Sequence, residues 1–168
     1  AYRTRCLDLK NDIRFEYILI FRNHGDAAGS TLEHPHSQLI ATPIVPKRVL
    51  EEVSGAKNHY EYKERCVFCD MIKQEIKDSI RLILENKNFV SFAPFAPRFP
   101  FETWVLPKKH NPDFLNITEE ETFDLAKILR DTLLKIKKAL NDPPYNYIIH
   151  TTPLRKEDGI FTHWHIEI

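Results

Sequence analysis

FRNHGDAAGSTLEHPHSQLIATPIV, residues 21–45, is the most informative part of the sequence for predicting the fold. It begins at the end of a run rich in β-branched and aromatic residues and finishes in a second short apolar run, so it predicts two strands. A loop of small residues, 23–30, follows the first strand and permits close approach of backbone to a ligand. The segment that leads into the second strand carries His34-Pro35-His36-Ser37-Gln38.

The two histidines of this segment predict nucleophilic or metal-binding chemistry. Pro35 fixes the backbone between the two imidazoles. A neutral imidazole that is held by a hydrogen bond at one nitrogen presents the other as a nucleophile or a ligand. The Gln38 amide offers a neutral donor to a phosphate oxygen, and the small-residue loop supplies the accessible N–H groups that phosphate sites need. The alternative is a pair of surface histidines with no chemical role.

Further along the chain the pattern predicts an α+β fold with a mainly antiparallel sheet and one long packed helix. Strands are predicted at 81–85, 89–93, 102–106, 145–150 and 162–168, and residues 47–65 as a helix or linker. Thr118 followed by Glu121 forms a capping box at the start of a helix, and apolar residues recur at helical spacing from there to Leu140.

A second constellation is Cys66-Val67-Phe68-Cys69. Two cysteines at this spacing supply half of a tetrahedral zinc site, and the other two ligands must come from elsewhere in the chain. His110 and His163 are the candidates, since each follows or lies in a predicted strand. A redox or inert pair is the alternative.

Composition limits the partners. The 168 residues are 42% hydrophobic and carry 24 basic and 24 acidic side chains, so the formal net charge is zero. A nucleic acid partner is disfavoured because it would usually require a basic surplus. No uninterrupted apolar run is long enough for a membrane span. Nothing indicates secretion, so we expect a cytoplasmic protein, and we expect further sequence beyond both ends of this chain.

Several motifs together resemble the galactose-1-phosphate uridylyltransferase branch of the histidine triad superfamily. The resemblance runs, in the family's order, through residues 21–25, 29–30, 34–38, 94–96, 99–104, 107–110 and 162–164. It implies two histidine-triad-like units. Residues 1–65 would be the C-terminal part of a first unit that carries the catalytic motif, and residues 66–168 a second unit with the zinc knuckle.

The resemblance also implies a reaction in galactose or carbohydrate metabolism. His36 would take a nucleoside monophosphate from a nucleotide sugar as a covalent nucleotidyl-histidine and pass it to a hexose 1-phosphate. Gln38 would contact a non-bridging phosphate oxygen during this transfer. The nucleotide and its phosphates would be bound by Asn23, Gly29, Ser30 and Thr31. A homodimer is implied as well.

For the metal, the resemblance implies a closed structural zinc site of Cys66, Cys69, His110 and His163. His34 would ligate a separate zinc together with residues upstream of this chain, and without them it would be a plain hydrogen-bonded histidine. His150 lies where iron-binding members have a ligand, but their other ligands are not evident in the sequence. His165 is disfavoured as a second nucleophile because Glu167 stands where a glutamine would follow.

Ser37 leaves the substrate open, because uridylyltransferases typically have glycine at this place. Members that act as ADP-glucose phosphorylases look similar to this chain there and at residues 141–147. Adenylyl transfer to phosphate is therefore the nearer alternative. A zinc-stabilised binding module without turnover is a separate alternative.

Overall fold

The structure, a computed structural model, describes residues 1–30, 32, 34–155 and 159–168. The elements in these ranges are α1 (Tyr2–Lys10), β1 (Tyr17–His24), β2 (Gln38–Thr42), α2 (Lys47–Lys63), α3 (Val67–Asp78), β3 (Leu82–Glu85), β4 (Phe89–Phe92), β5 (Trp104–Pro107), α4 (Glu119–Leu140), β6 (Tyr145–His150) and β7 (His165–Glu167). Short 3₁₀ turns occupy Asp26–Ala28 and Phe114–Asn116.

All seven strands form one sheet in the order β2-β1-β6-β7-β5-β4-β3, and each pairing is antiparallel. The α+β prediction with a long packed helix is therefore confirmed. Strands from both predicted units join this sheet. The boundary after Arg65 stays a prediction.

The long helix α4 begins where the capping box predicts. Thr118 Oγ1 accepts from the Glu121 backbone N–H at 3.2 Å, and Glu121 Oε2 accepts from the Thr118 N–H at 2.8 Å. Such a cap stabilises a helix by about 1 kcal/mol. The buried side of α4, including Leu125 and Ile128, packs on the sheet with Ile18, Ile20 and Ile149, and α1 joins the same core.

The helices α2 and α3 form a second core around strands β3 to β5. Phe68 and Ile72 of α3 pack with Val90, Phe92 and Leu106. The sequence predicted a helix or linker at α2 and only a cysteine knuckle at α3. A helix forms at α3 because Phe68, Ile72 and Glu75 recur on its buried side.

The strand registers contain a local twofold relation. Phe21 pairs with Gln38 on one side and with Ile148 on the other, while Ile148 pairs with Phe21 and Glu167. A twofold axis through the Phe21–Ile148 pair therefore exchanges Gln38 with Glu167. Counting back two residues from each gives His36 and His165. Each of these imidazoles points Nδ1 at the backbone carbonyl two residues earlier, at 3.3 Å for His36 and 3.0 Å for His165.

Among the described residues, no helix combines the length and the apolar character that crossing a bilayer would require.

Candidate active site and metal centre

His36 is held by a hydrogen bond at one of its two ring nitrogens. Its Nδ1 lies 3.3 Å from the His34 carbonyl oxygen. A carbonyl can only accept, so Nδ1 carries the proton and Nε2 keeps its lone pair. His36 is half-buried and His34 is exposed. The arrangement leaves Nε2 of His36 able to attack an electrophile.

Gln38 and Ser37 point to opposite sides of the sheet. Gln38 is the first residue of β2 and pairs with Phe21, which faces away from the α4 core. The Ser37 hydroxyl instead accepts a hydrogen bond from Tyr2 of α1, whose own hydroxyl lies 3.1 Å from that of Tyr147 in the α4 core. The Ser37 hydroxyl therefore links the histidine segment to the face of the sheet on which α4 packs.

The loop after β1 turns tightly through Asp26–Ala28 between two glycines. Gly25 and Gly29 have φ of 81° and 83°, and side chains rarely adopt such backbone angles. A Cβ on Gly29 would lie 3.4 Å from Nδ2 of Asn23, which donates to the Gly29 carbonyl at 3.3 Å. The glycine thus lets the loop close onto the Asn23 side chain.

This loop brings the predicted substrate residues to the end of the sheet that carries His36. Beyond the last pair, Phe21–Gln38, Asn23 and His36 each lie two residues further in the same direction. Ser30 follows the turn, half-buried, and its backbone N–H donates to the Gly25 carbonyl at 3.2 Å. Thr31 lies outside the described residues.

Two cavities flank this end of β1. One, of about 320 Å³, includes Asn23 and Asn146 with Arg98 and Phe99 on the face away from α4. The other, of about 630 Å³, lies between α1 and α4 on the opposite face and includes Pro35. The smaller cavity adjoins Asn23 and falls within the range of small-molecule sites.

Cys66, Cys69, His110 and His163 come together as the sequence predicts. Their four ligand atoms all lie within 4.8 Å of one another. Cys69 Sγ is 3.5 Å from Nδ1 of His110 and 3.6 Å from Nδ1 of His163. Two sulfurs and two imidazoles are a donor set typical of structural zinc.

The surroundings orient these four side chains. Nε2 of His110 donates to the Gly159 carbonyl at 2.8 Å and Nε2 of His163 to that of Pro107 at 2.9 Å, so both Nδ1 atoms are left for a metal. Cys66 is the N-cap of α3 and Cys69 lies in its first turn, where the helix dipole favours thiolate. The Cys69 thiol, with help from His163, lowers the pKa of Cys66 to about 3, although burial opposes this. These residues fit zinc.

His34 is not part of this cluster. It lies exposed beside His36, and its carbonyl orients the His36 ring. Among the described residues it joins no group of potential metal ligands. Its proposed role as a zinc ligand stays a prediction.

A further group of ligand types lies at the centre of the sheet. The ligand atoms of Glu52, His150 and His165 lie within 4.8 Å of one another. His150 Nδ1 is 2.9 Å from Glu52, and its Nε2 is 3.1 Å from Glu167. Burial lowers the pKa of His150, but the neighbouring carboxylates of Glu167 and Glu52 outweigh it and raise the pKa to about 9. The group therefore suits either a metal or a protonated His150 between two carboxylates.

The sequence singled out His150 as a possible metal ligand but did not predict its contact with Glu52. Glu52 lies on α2, in a stretch that reads only as polar helix or linker, and it reaches His150 through the packing of α2 on the sheet. Only the tertiary structure shows this encounter.

A family model described as the C-terminal domain of galactose-1-phosphate uridyl transferase matches residues 52–168. The chain belongs to the galactose-1-phosphate uridylyltransferase family. A second model, the N-terminal domain of a domain of unknown function (DUF4931), matches residues 3–45. The family match begins at Glu52 and includes the four residues of the metal centre.

Relatives with two different names resemble the chain within this family. ADP-glucose phosphorylase of Arabidopsis thaliana is 39% identical over 170 residues, 100% of this chain and 47% of the relative. Galactose-1-phosphate uridylyltransferase of Thermotoga maritima is 34% identical over 167 residues, 98% of this chain and 51% of the relative.

Solved structures give the same picture. The Arabidopsis thaliana ADP-glucose phosphorylase with bound ADP-glucose superposes with a TM-score of 0.92 at 39% identity, over 99% of this chain and 52% of that one. A uridylyltransferase superposes with a TM-score of 0.91 at 33% identity, over 98% and 52%. The chain therefore spans about half the length of the family members it matches.

Proposed function

We propose that this chain carries the nucleophile of a nucleotidyltransferase that works through a nucleotidyl-histidine at His36. The observation that carries the proposal is the His36 ring, whose Nδ1 donates to the His34 carbonyl and whose Nε2 has no hydrogen-bond partner among the described residues. Family membership supports it.

In the first half-reaction Nε2 of His36 attacks the α-phosphorus of a nucleotide sugar. The N–P bond forms as the P–O bond to the sugar phosphate breaks, and the sugar 1-phosphate leaves. The imidazole then carries a positive charge, which the His34 carbonyl at Nδ1 stabilises. In the second half-reaction a phosphate oxygen of the acceptor attacks the same phosphorus and the N–P bond breaks.

Gln38 and Asn23 supply neutral donors to the transferred phosphate. Among the described residues nothing hydrogen-bonds the Gln38 side-chain amide, which leaves its NH₂ for a non-bridging oxygen. Amide donors bind a phosphoryl oxygen in the transition state without trapping the anion in the ground state. Gly29 and Ser30, and Thr31 by sequence, would complete the phosphate loop.

The metal centre has a structural role in this proposal. Cys66, Cys69, His110 and His163 would hold zinc, which supplies a cross-link between the start of α3, the segment after β5 and the segment before β7. Its four protein ligands leave no open position for substrate.

Two substrate classes fit. One is uridylyl exchange between UDP-glucose and a hexose 1-phosphate. The other is an ADP-glucose phosphorylase reaction, with phosphate as acceptor. The 39% identity to the phosphorylase, against 34% to the Thermotoga maritima transferase, supports the second candidate. The Ser37 hydroxyl does not distinguish the two substrates by contacting the base, because it accepts a hydrogen bond from Tyr2 on the face of the sheet where α4 packs.

Intact-protein mass spectrometry after brief incubation with UDP-glucose or ADP-glucose tests the proposal. We expect one added nucleoside monophosphate on His36, and its mass identifies the base. His36→Ala should abolish the adduct, while His59→Ala, which removes a histidine of α2, should retain it. Binding of a nucleotide sugar without any adduct would replace the proposal by a non-catalytic binding module.

A further inference from the structure

Asn146 contacts the candidate substrate loop from the neighbouring strand. It lies on β6 directly opposite Asn23 of β1. Its Nδ2 donates to Oδ1 of Asn23 at 2.7 Å and to the Ala28 carbonyl at 2.9 Å. One side-chain amide thus connects the end of β1 to the tight turn that follows it.

The orientation of both amides is determined by backbone groups that can only accept. The Ala28 carbonyl requires the NH₂ of Asn146 on its side, and the Gly29 carbonyl requires the NH₂ of Asn23 on its side. Asn23 Oδ1 is then used by Asn146. Nothing in the described part of the chain uses the second N–H of Asn23, so a ligand there meets a donor and not an acceptor.

We propose that Asn146 is a positioning residue for nucleotidyl transfer, which acts by holding the Asn23 amide with its NH₂ towards the phosphate of the nucleotide. The proposal rests on the proposed function. It assigns Asn146 no contact with the reacting atoms. Asn146 is exposed, so its hydrogen bonds contribute little to the free energy of folding. Their effect is to orient the side-chain amide of Asn23.

Replacement by aspartate is the most informative change. Asn146→Asp keeps the shape of the side chain. It places a carboxylate, which can only accept hydrogen bonds, opposite two other acceptors, Asn23 Oδ1 and the Ala28 carbonyl. Rotation of the Asn23 amide by half a turn relieves the clash with the carboxylate, but it turns the amide oxygen towards the Gly29 carbonyl and the phosphate. Asn146→Ala releases Asn23 without reversing it, so the aspartate variant should be the slower of the two.

The measurement is the first-order rate of adduct formation at saturating nucleotide sugar. We expect a loss of about tenfold for Asn146→Ala, the size of one misplaced hydrogen bond to a charged group, and at least about a hundredfold for Asn146→Asp. The half-saturating concentration of the alanine variant should change little. Asn58→Asp, which adds the same charge on exposed α2, should leave the rate unchanged.

A double-mutant cycle tests whether Asn146 acts through Asn23. Asn146→Ala should cost nothing further in an Asn23→Ala background. A full additional loss there, an unchanged rate in Asn146→Ala alone, or an Asn146→Asp variant no slower than Asn146→Ala would overturn the proposal. A fall in melting temperature that parallels the loss of rate would also overturn it, as a structural effect. If the unmodified protein forms no adduct with either sugar nucleotide, the proposed function fails first.

Discussion

Replacement of Cys69 by serine should abolish metal binding at the candidate metal centre and leave the rest of the protein folded. Serine keeps the approximate volume of the side chain but exchanges a thiolate for a hydroxyl, which is a poor zinc ligand. The Cys69 sulfur lies 3.5 Å from Nδ1 of His110 and 3.6 Å from Nδ1 of His163, so it contacts both imidazoles of the group. We expect the variant to purify without stoichiometric zinc.

The expected loss of stability follows from mass action. A ligand that binds only the folded state stabilises it by about 2.7 kcal/mol at one hundred times its Kd and about 4.1 kcal/mol at one thousand times. A chain of this length changes its melting temperature by about 2–4 °C per kcal/mol. Loss of a zinc bound at one thousand times its Kd should therefore lower the Tm by about 8–16 °C.

The assay combines metal analysis with thermal unfolding, before and after treatment with a chelator. The chelator should lower the Tm of the unmodified protein to that of Cys69→Ser and should leave the variant unchanged. Cys6→Ala is the matched control, because Cys6 is a buried core cysteine outside the cluster. A Cys69→Ser protein that keeps its zinc and its Tm would refute the assignment, and so would loss of zinc from Cys6→Ala.

Three further outcomes are expected. Gly29→Ala places a Cβ at a φ of 83° and 3.4 Å from Asn23 Nδ2, so it should cost about 1 kcal/mol in urea unfolding and slow adduct formation; an unchanged rate would show that the loop does not position Asn23. Ser37→Gly removes the bond to Tyr2 behind the sheet, so the ratio of ADP-glucose to UDP-glucose reactivity should stay the same, and an inverted ratio would contradict the placement of Ser37. In chelator-treated protein, the stabilisation from His150 should be complete below its unfolded pKa of about 6.5 and should be lost as the pH rises through about 9, because its folded pKa is raised. The Tm of the unmodified protein should therefore fall more over this pH range than the Tm of His150→Gln. Equal falls would argue against the ion pairs of His150.

Local chemistry made much of the fold predictable. The capping box at Thr118 and Glu121 marks the start of α4 because both partners lie within one helical turn. The strands follow from short apolar runs between turn residues. The helix α1 was missed because four of its nine residues are charged and its apolar residues form no amphipathic pattern; its contacts with the core, through Tyr2, Cys6 and Leu9, explain why it is helical.

The candidate site also has a part that the sequence predicts and a part that only the structure shows. The cysteine pair is visible from its spacing, and His110 and His163 follow from the resemblance, so the cluster could be predicted before the structure. The contact between Glu52 and His150 spans 98 positions of sequence and depends on how α2 packs, which no local pattern encodes. No local pattern predicts the contact of Asn146 with Asn23 either, because it depends on the pairing of β6 with the distant strand β1.

The twofold relation between the two histidine motifs has an evolutionary consequence. It is the pattern expected of an internal duplication in which the copies have diverged. His36 is half-buried, whereas His165 is only 1% exposed, stacked on His150 at 4.7 Å and packed against Phe68 and Trp104. In the proposed function the first imidazole reacts, whereas the second, with the same backbone geometry, is packed inside the protein. Under that proposal the second copy is free of the demands of turnover, so its sequence can change for stability without cost to the chemistry of the first.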